Sequence, residues 1–237
     1  MNNLILVRHG QSRWNLERRF TGFYDAELTP GGESEAKQAG ELIKKLDISF
    51  HGYFTSQLKR AINTLDIILD VLNIANPEIY KSWKLNERHY GDLTSFNKED
   101  ILKKHGKKQV QLWRRSFDIS PPPMSPEHPY KNKIYNNIPK DKMPGSESLK
   151  DTFHRVIPYY QSKIKPLLLS KKNILVVFHG NSARALLMKI FNISKEKIVK
   201  LEIPTGNPLL IKFGNNLKVQ DYKYLDNKRA KKILFNV

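Results

Sequence analysis

Two stretches 170 residues apart share one layout, and that echo constrains the fold more than any other feature of the chain. Leu4-Ile5-Leu6-Val7 runs into Arg8-His9-Gly10-Gln11-Ser12, and Ile174-Leu175-Val176-Val177-Phe178 runs into His179-Gly180-Asn181-Ser182. Each is a short apolar run, then His-Gly, a side-chain amide and Ser. A run of four or five apolar residues with such a break after it reads as a strand buried on both faces. Strands of that kind build parallel sheets covered by helices, which bind ligands at the carboxyl ends of the strands. Both histidines fall at such ends. The Gly after each lets backbone N–H groups approach a ligand closely, and a helix starting near Gly180-Asn181 points its amides at an anion.

The rest of the pattern alternates in the same way. Thr29-Pro30 opens a helix, Thr as N-cap and Pro at the first helical position, with Ala36, Ala39, Leu42, Ile43 and Leu46 on its apolar face. Gly52–Thr55 reads as a strand, and Ser56 as the cap of a helix carrying Leu58, Ala61, Ile62, Leu65, Ile68, Leu69 and Leu72. Ile79–Leu85 is extended. Asn97–Phe117 is helical in two pieces around Gly106. Seven of the 13 prolines lie between Pro121 and Pro144, which excludes helix there and marks a long functional loop. A helix from Ser146-Glu147-Ser148 toward Leu169 is interrupted at Pro158, another spans Asn181–Phe191, and Pro208–Phe213 with Leu217–Tyr222 forms a hairpin turned at Gly214-Asn215-Asn216. The fold class expected is α/β: three layers, α/β/α, with a mostly parallel sheet, an antiparallel edge strand, and a helical and Pro-rich cover insertion. Residues 1–237 form one domain, with 92–145 as the cover and 226–237 as a mobile tail.

Charge narrows the partners. Lys plus Arg number 41 against 23 Asp plus Glu, a net charge of +18. Such an excess favours nucleic acid, acidic membrane surfaces or phosphorylated metabolites. No five basic residues are consecutive, and the excess consists of Lys spread along the chain, 30 Lys to 11 Arg, so it reads as a solvated surface. The absence of Cys removes disulfide scaffolds, thiol nucleophiles and Cys-based metal sites. No apolar stretch approaches the ~20 residues that span a bilayer. The N-terminus lacks a basic region ahead of its apolar run, so no signal peptide is expected and the location expected is cytoplasmic. A metal at the two histidines lacks a third ligand nearby.

A neutral imidazole is a nucleophile toward phosphorus once its second nitrogen is held by an acceptor. The moving phosphoryl carries charge on three oxygens and needs cationic donors. In a chain so biased toward Lys, Arg8, Arg60 and Arg114-Arg115 point to bidentate geometry that an ammonium does not supply.

Leu6-Val7-Arg8-His9-Gly10-Gln11-Ser12-x-x-Asn15 resembles the signature of the histidine phosphatase superfamily. Arg19-Phe20-Thr21-Gly22-Phe23-Tyr24-Asp25, Ser56-x-Leu58-Lys59-Arg60-Ala61, Trp83-Lys84-Leu85-Asn86-Glu87-Arg88-His89-Tyr90-Gly91, Trp113-Arg114-Arg115, His179-Gly180-Asn181-Ser182 and Ile203-Pro204-Thr205-Gly206 follow in order. Together they resemble the cofactor-dependent phosphoglycerate mutases over about residues 4–225. The resemblance implies that 3-phosphoglycerate and 2-phosphoglycerate are interconverted through a phosphohistidine primed by 2,3-bisphosphoglycerate, without a metal. It implies His9 as nucleophile, Glu87 as general acid and base with a raised pKa beside bound phosphates, and His179, Arg8 and Arg60 as stabilisers of the phosphoryl group. Asn15, Gly180 and Asn181 complete that pocket, and Ser12 lies in the phosphate loop. Thr21, Gly22, Arg88, Tyr90, Lys98, Arg114 and Arg115 bind the carboxylate and second phosphate. Partners are phosphorylated glycerates and further copies of the chain in a dimer or tetramer, with neither nucleic acid nor membrane. Gly91-Asp92-Leu93-Thr94-Ser95-Phe96-Asn97-Lys98 departs from the family pattern, which has a second Gly and then Leu before Asn-Lys. Two alternatives stand beside this reading: a phosphohistidine-dependent phosphatase of the same superfamily, and a basic protein binding anions or nucleic acid on an inactive scaffold.

Overall fold

The computed structural model describes residues 2–135 and 137–230. A six-stranded sheet forms the middle layer. Its strands are β1 (Asn2–Arg8), β2 (Gly52–Thr55), β3 (Ile79–Lys81), β4 (Ile174–Phe178), β5 (Leu209–Phe213) and β6 (Val219–Tyr224), in the order β3-β2-β4-β1-β5-β6. β3, β2, β4 and β1 run parallel. β5 is antiparallel to β1 and to β6, so the hairpin supplies the antiparallel edge that the sequence pattern calls for.

Side chains alternate across the sheet, as a period of two requires. Leu4, Leu6, Ile174, Val176 and Phe178 join one buried cluster with α5 (Leu149–Tyr159), α6 (Lys165–Leu169) and α7 (Gly180–Ile190). Ile5, Val7, Leu175 and Val177 join the other, with α2 (Pro30–Lys44) and α3 (Lys59–Val71). Every residue of β4 is buried, and each of its large side chains contributes about 1.5–3 kcal/mol of transfer free energy. This is the α/β/α sandwich expected, with the short helices α1 (Arg13–Leu16) and α8 (Lys195–Ile198) in its connections.

Several local expectations shift by a turn. Thr29 caps α2, its hydroxyl accepting from Gly32 N–H, with Pro30 at the first position. Ser56 does not cap α3: Leu58 stands at that position, and the Ser56 hydroxyl accepts from Leu58 N–H. Ile79–Leu85 is extended only to Lys81, then turns through a 3-10 segment, Trp83–Leu85. The helix from Leu149 passes through Pro158 and widens later, into a π segment at Tyr160–Ile164. Pro166 follows that segment; it has no N–H for a regular bond to residue 162, and its ring crowds that carbonyl.

α4 (Lys98–Arg115) breaks at Gly106, φ +75°, into the two pieces expected. The cover packs on two small cores of its own, Phe20 with Leu93, Ile101, Val110 and Trp113, and Phe23 with Met124, Ile134 and Ile138. At the start of the tail, Arg229 bonds Asp226 and the carbonyls of Thr205 and Gly206. The rest of the tail expected to be mobile, residues 231–237, lies outside the described residues. Among the described residues, no helix is long and apolar enough to cross a membrane.

Candidate active site

β1 and β4 are neighbours, and their last residues pair, Arg8 with Phe178. The residue after each strand is a histidine. His9 and His179 therefore stand side by side across one parallel ladder step, ring centroids 4.9 Å apart, close to the spacing of adjacent strands. Both rings are buried.

The Nδ1 of His9 lies 2.7 Å from the Gly10 carbonyl. A carbonyl only accepts, so Nδ1 carries the proton and Nε2 presents its lone pair. Burial first, then the charges of Arg60 and Arg8, holds the His9 pKa well below 6.5. The ring is thus neutral at neutral pH. His179 is held low in the same way, by burial and then Arg60. Its Nε2 meets the Ser56 hydroxyl at 2.8 Å, and its Nδ1 is buried without a partner.

Gly10 does not offer its amide to a ligand, as the sequence reading expects; its N–H donates to the Thr64 hydroxyl. The glycine is required by packing. A Cβ there would lie 2.1 Å from the Gly32 carbonyl oxygen, and one on Gly32 equally close to that of Gln11. The His9 loop is pressed directly against the first turn of α2.

A cleft of about 210 Å³ opens over His9, below the ~300 Å³ low end of drug-sized pockets. It suits a small metabolite. Its walls bring together Arg8, His9, Asn15, Thr21, Gly22, Arg60, Glu87, Tyr90, Lys98, Arg114, Arg115, Gly180 and Asn181, most of the residues singled out from the sequence. Three stand behind the wall. His179 backs His9. Ser12 caps α1, its hydroxyl accepting from Asn15 N–H and its own N–H donating to Asn15 Oδ1. Arg88 is buried with its guanidinium 4.7 Å from the Tyr90 ring centre.

The arginines divide by partner. Arg13, Arg18, Arg19, Arg155 and Arg229 pair with carboxylates. Arg8 and Arg60 bond carbonyls instead: Arg8 that of Ile203, Arg60 those of Gly22 and Tyr24. Burial pulls the Arg60 pKa down to about 10, and Arg8 Nε is buried without a partner among the described residues. Arg114 and Arg115 end α4 at the cleft, where burial lowers the pKa of Arg114.

Glu87 supplies the cleft's single carboxylate. Its Oε1 accepts from Arg88 N–H (2.7 Å), Asn181 N–H (3.1 Å) and Asn181 Nδ2 (2.8 Å). The amide at the start of α7 thus serves the protein's own carboxylate. Burial pushes the Glu87 pKa up, but the bonds from Arg88 and Asn181 and the charges of Arg60 and Arg8 outweigh it, and the net shift is downward. The raised value expected from the sequence is that of Glu87 facing bound phosphates; with the protein's own groups alone, hydrogen bonds and guanidinium charge outweigh the cost of burial.

Sequence reasoning missed Arg19, Phe20 and Arg184, which also line the cleft. It missed the buried Glu147–Arg155 pair as well, which bonds the backbone on either side of Glu87. Arg184 left one signal, a lone Arg one turn after Asn181 in an Ala- and Leu-rich helix.

Residues 4–131 match the profile of the Histidine phosphatase superfamily (branch 1). Over their full lengths, two relatives named 2,3-bisphosphoglycerate-dependent phosphoglycerate mutase are similar to the chain. That of Hydrogenobaculum sp. is 46% identical, covering 100% of this chain and 98% of its own; that of Caulobacter sp. is 48% identical, covering 96% of each. Among solved structures, the alpha-ribazole phosphatase from Shigella flexneri superposes with a TM-score of 0.71 at 19% identity over 98% of both chains, a likeness of fold.

Proposed function

This chain belongs to the histidine phosphatase superfamily and, within it, to the 2,3-bisphosphoglycerate-dependent phosphoglycerate mutases, and from that membership we propose that it interconverts 3-phosphoglycerate and 2-phosphoglycerate through a phosphorylated His9. One observation carries the reading beyond the names of its relatives. A neutral imidazole with its Nε2 lone pair free shares a small cleft with arginines that lack carboxylate partners and with one carboxylate, Glu87. Cations left with neutral partners are satisfied by an anionic ligand, and guanidinium groups fit phosphate oxygens bidentately.

Two phosphates and a carboxylate suit that cation set, so 2,3-bisphosphoglycerate fits the cleft. At the His9 end, Arg8, Arg60 and Asn15 hold a phosphoryl group, backed by His179, while Asn181 holds Glu87 and Gly180 leaves room beside it. At the other end Thr21, Gly22, Tyr90, Lys98, Arg114 and Arg115 hold the remaining charges. Arg88 acts through the Tyr90 ring, and Ser12 through Asn15. When bound, 2,3-bisphosphoglycerate supplies the phosphoryl group that primes His9.

His9 then serves as relay. Glu87 takes the proton of the free glycerate hydroxyl as that oxygen bonds phosphorus and the N–P bond to His9 breaks. With the glycerate turned, His9 Nε2 attacks the other phosphoryl group, and Glu87 returns the proton to the departing oxygen. The arginines supply the positive charge that a metal supplies in many phosphoryl transfers. Bound phosphates offset Arg8 and Arg60, so the Glu87 pKa rises on binding, toward the range suited to proton exchange.

The full-length relatives favour this mutase over the phosphatase alternative. The protein works in the cytoplasm as a homo-oligomer, on phosphorylated glycerates, with neither nucleic acid nor membrane as partner. Coupled conversion of 3-phosphoglycerate, with and without 2,3-bisphosphoglycerate, tests it. The priming compound is expected to add one acid-labile phosphoryl group to His9, seen by intact mass, and His9→Ala to abolish both signals. Isomerisation that survives His9→Ala refutes the mechanism.

A further inference from the structure

Three unused hydrogen-bonding positions converge beside Gly180. A Cβ built on that glycine would lie 3.7 Å from each of Arg8 Nε, Arg184 Nη1 and Glu87 Oε2. Each atom has capacity to spare. Arg8 Nε is buried and has no bond among the described residues. Arg184 donates through Nε to the Leu201 carbonyl and through one Nη1 hydrogen to Asn181 Oδ1, which leaves the second Nη1 hydrogen. All the bonds to Glu87 among the described residues reach Oε1, which leaves Oε2. Two donors and one carboxylate oxygen around one point do not suit an anion, which Glu87 would repel. They suit a hydroxyl, which accepts from both guanidinium groups and gives its own proton to the carboxylate.

We infer that Arg184 is a further catalytic residue: with Arg8 it seats the glycerate hydroxyl oxygen that Glu87 deprotonates. This rests on the reading above and names a contact that it lacks. As the O–H proton passes to Oε2 and the O–P bond forms, negative charge builds on that oxygen between two N–H donors. Donors aimed at a developing charge act mainly in the transition state. Arg184 is half-buried on the cleft wall, where desolvation brings its pKa down to about 9. The bond to Asn181 Oδ1 also fixes the amide so that Nδ2 faces Glu87 Oε1, leaving Oε2 to the substrate.

Arg184→Met removes the donor and keeps the side-chain length. Gly180→Ala removes no charge and puts a methyl group in the seat; its Cβ contacts at 3.7 Å are ordinary, so folding is retained. Both are assayed for kcat and KM on 3-phosphoglycerate, for inhibition by orthovanadate, which occupies the phosphoryl position at His9, and for thermal melting. Each is expected to lose about 10²- to 10³-fold in kcat, the effect of removing one such donor, with KM and vanadate inhibition within a few fold. Arg184→Lys is expected to recover part of the loss. A raised KM with kcat retained makes Arg184 a ligand of a resting anion and overturns the inference. So does loss of vanadate inhibition or melting temperature in step with kcat in both variants, which marks a structural role, and so does normal kcat in either. A wild-type protein that forms no phosphohistidine refutes the function itself, a separate result.

Discussion

Replacing Arg155 with Met breaks a buried device that holds the segment bearing Glu87 in place. All five guanidinium hydrogens of Arg155 are used. Nε and Nη2 meet the two oxygens of Glu147 at 2.6 and 2.8 Å, Nη1 reaches the carbonyls of Lys84 and Asn86, and Nη2 that of Glu87. Glu147 also accepts from His89 N–H. The segment bearing Glu87 is thus gripped at four backbone atoms by one pair, whose side chains are 8% and 4% exposed. Losing one member of such a pair leaves a buried charge uncompensated and costs about 3–5 kcal/mol. With a urea slope of ~3 kcal/mol/M for a chain of this size, the midpoint falls by about 1–1.7 M. Arg155→Met with Glu147→Met removes both charges, so the double variant is expected to lose less than the sum of the singles, with a coupling of roughly 2–3 kcal/mol. Where Arg155→Met remains folded, the freed Glu87 backbone is expected to lower kcat by about 10²-fold, the effect of a 1 Å misplacement. A midpoint shift below ~0.3 M, or strict additivity in the cycle, refutes this account of the pair.

Two further outcomes follow from the ionisation of the site. Glu87→Gln is expected to cut isomerisation by about 10²- to 10⁴-fold, while phosphorylated His9 still accumulates on long incubation with 2,3-bisphosphoglycerate; isomerisation within tenfold of wild type means that another group moves the proton. Stability is expected to fall as pH drops below about 6.5, because His9, His89 and His179 have folded pKa values below the unfolded one, that of His89 brought down to about 3 by burial first and then by Lys131 and Arg155. Above pH 6.5 these rings are neutral in both states. Below it the unfolded chain takes up protons that the folded chain refuses, at up to ~1.4 kcal/mol per pH unit for each ring. His89→Gln removes one such contribution, and an unchanged slope of urea stability against pH between 6.5 and 4.5 contradicts the assignment.

The sequence carried the sheet because buried parallel strands write themselves as apolar runs, and it carried the paired histidines because the run before each ends at the same point. Register did the rest: Arg8 opposite Phe178 puts His9 beside His179. What stayed hidden depends on contacts with no local period. Glu147 and Arg155 look like two charges at the start of an amphipathic helix, and only the path of residues 84–89 beneath them reveals a clamp. Arg184 is one Arg among 11 until α7 turns it toward Asn181. Gly10 looks like a ligand-facing glycine, whereas its need is the 2.1 Å approach to Gly32. Arg88 and Ser12 carry the family's motif, yet they reach the cleft through Tyr90 and Asn15.

Most of this scaffold is shared with a protein named as a phosphatase at 19% identity, so the sandwich and its paired strand ends do not decide what accepts the phosphoryl group. Water and a sugar-acid hydroxyl compete for the same phosphorus. A hydroxyl wins where the rest of its molecule is held while solvent is kept out. The cover brings cations to the cleft from one helix. Its first residue, Lys98, and its last two, Arg114 and Arg115, reach the cleft from opposite ends of α4, and Trp113 beside them is buried against Phe20. These cations on the cleft wall are thus fixed to the cover itself. On the function proposed above, the choice of acceptor is expected to lie in the cover and in the Glu87 network, so that substitutions there shift the product while the sheet beneath stays the same.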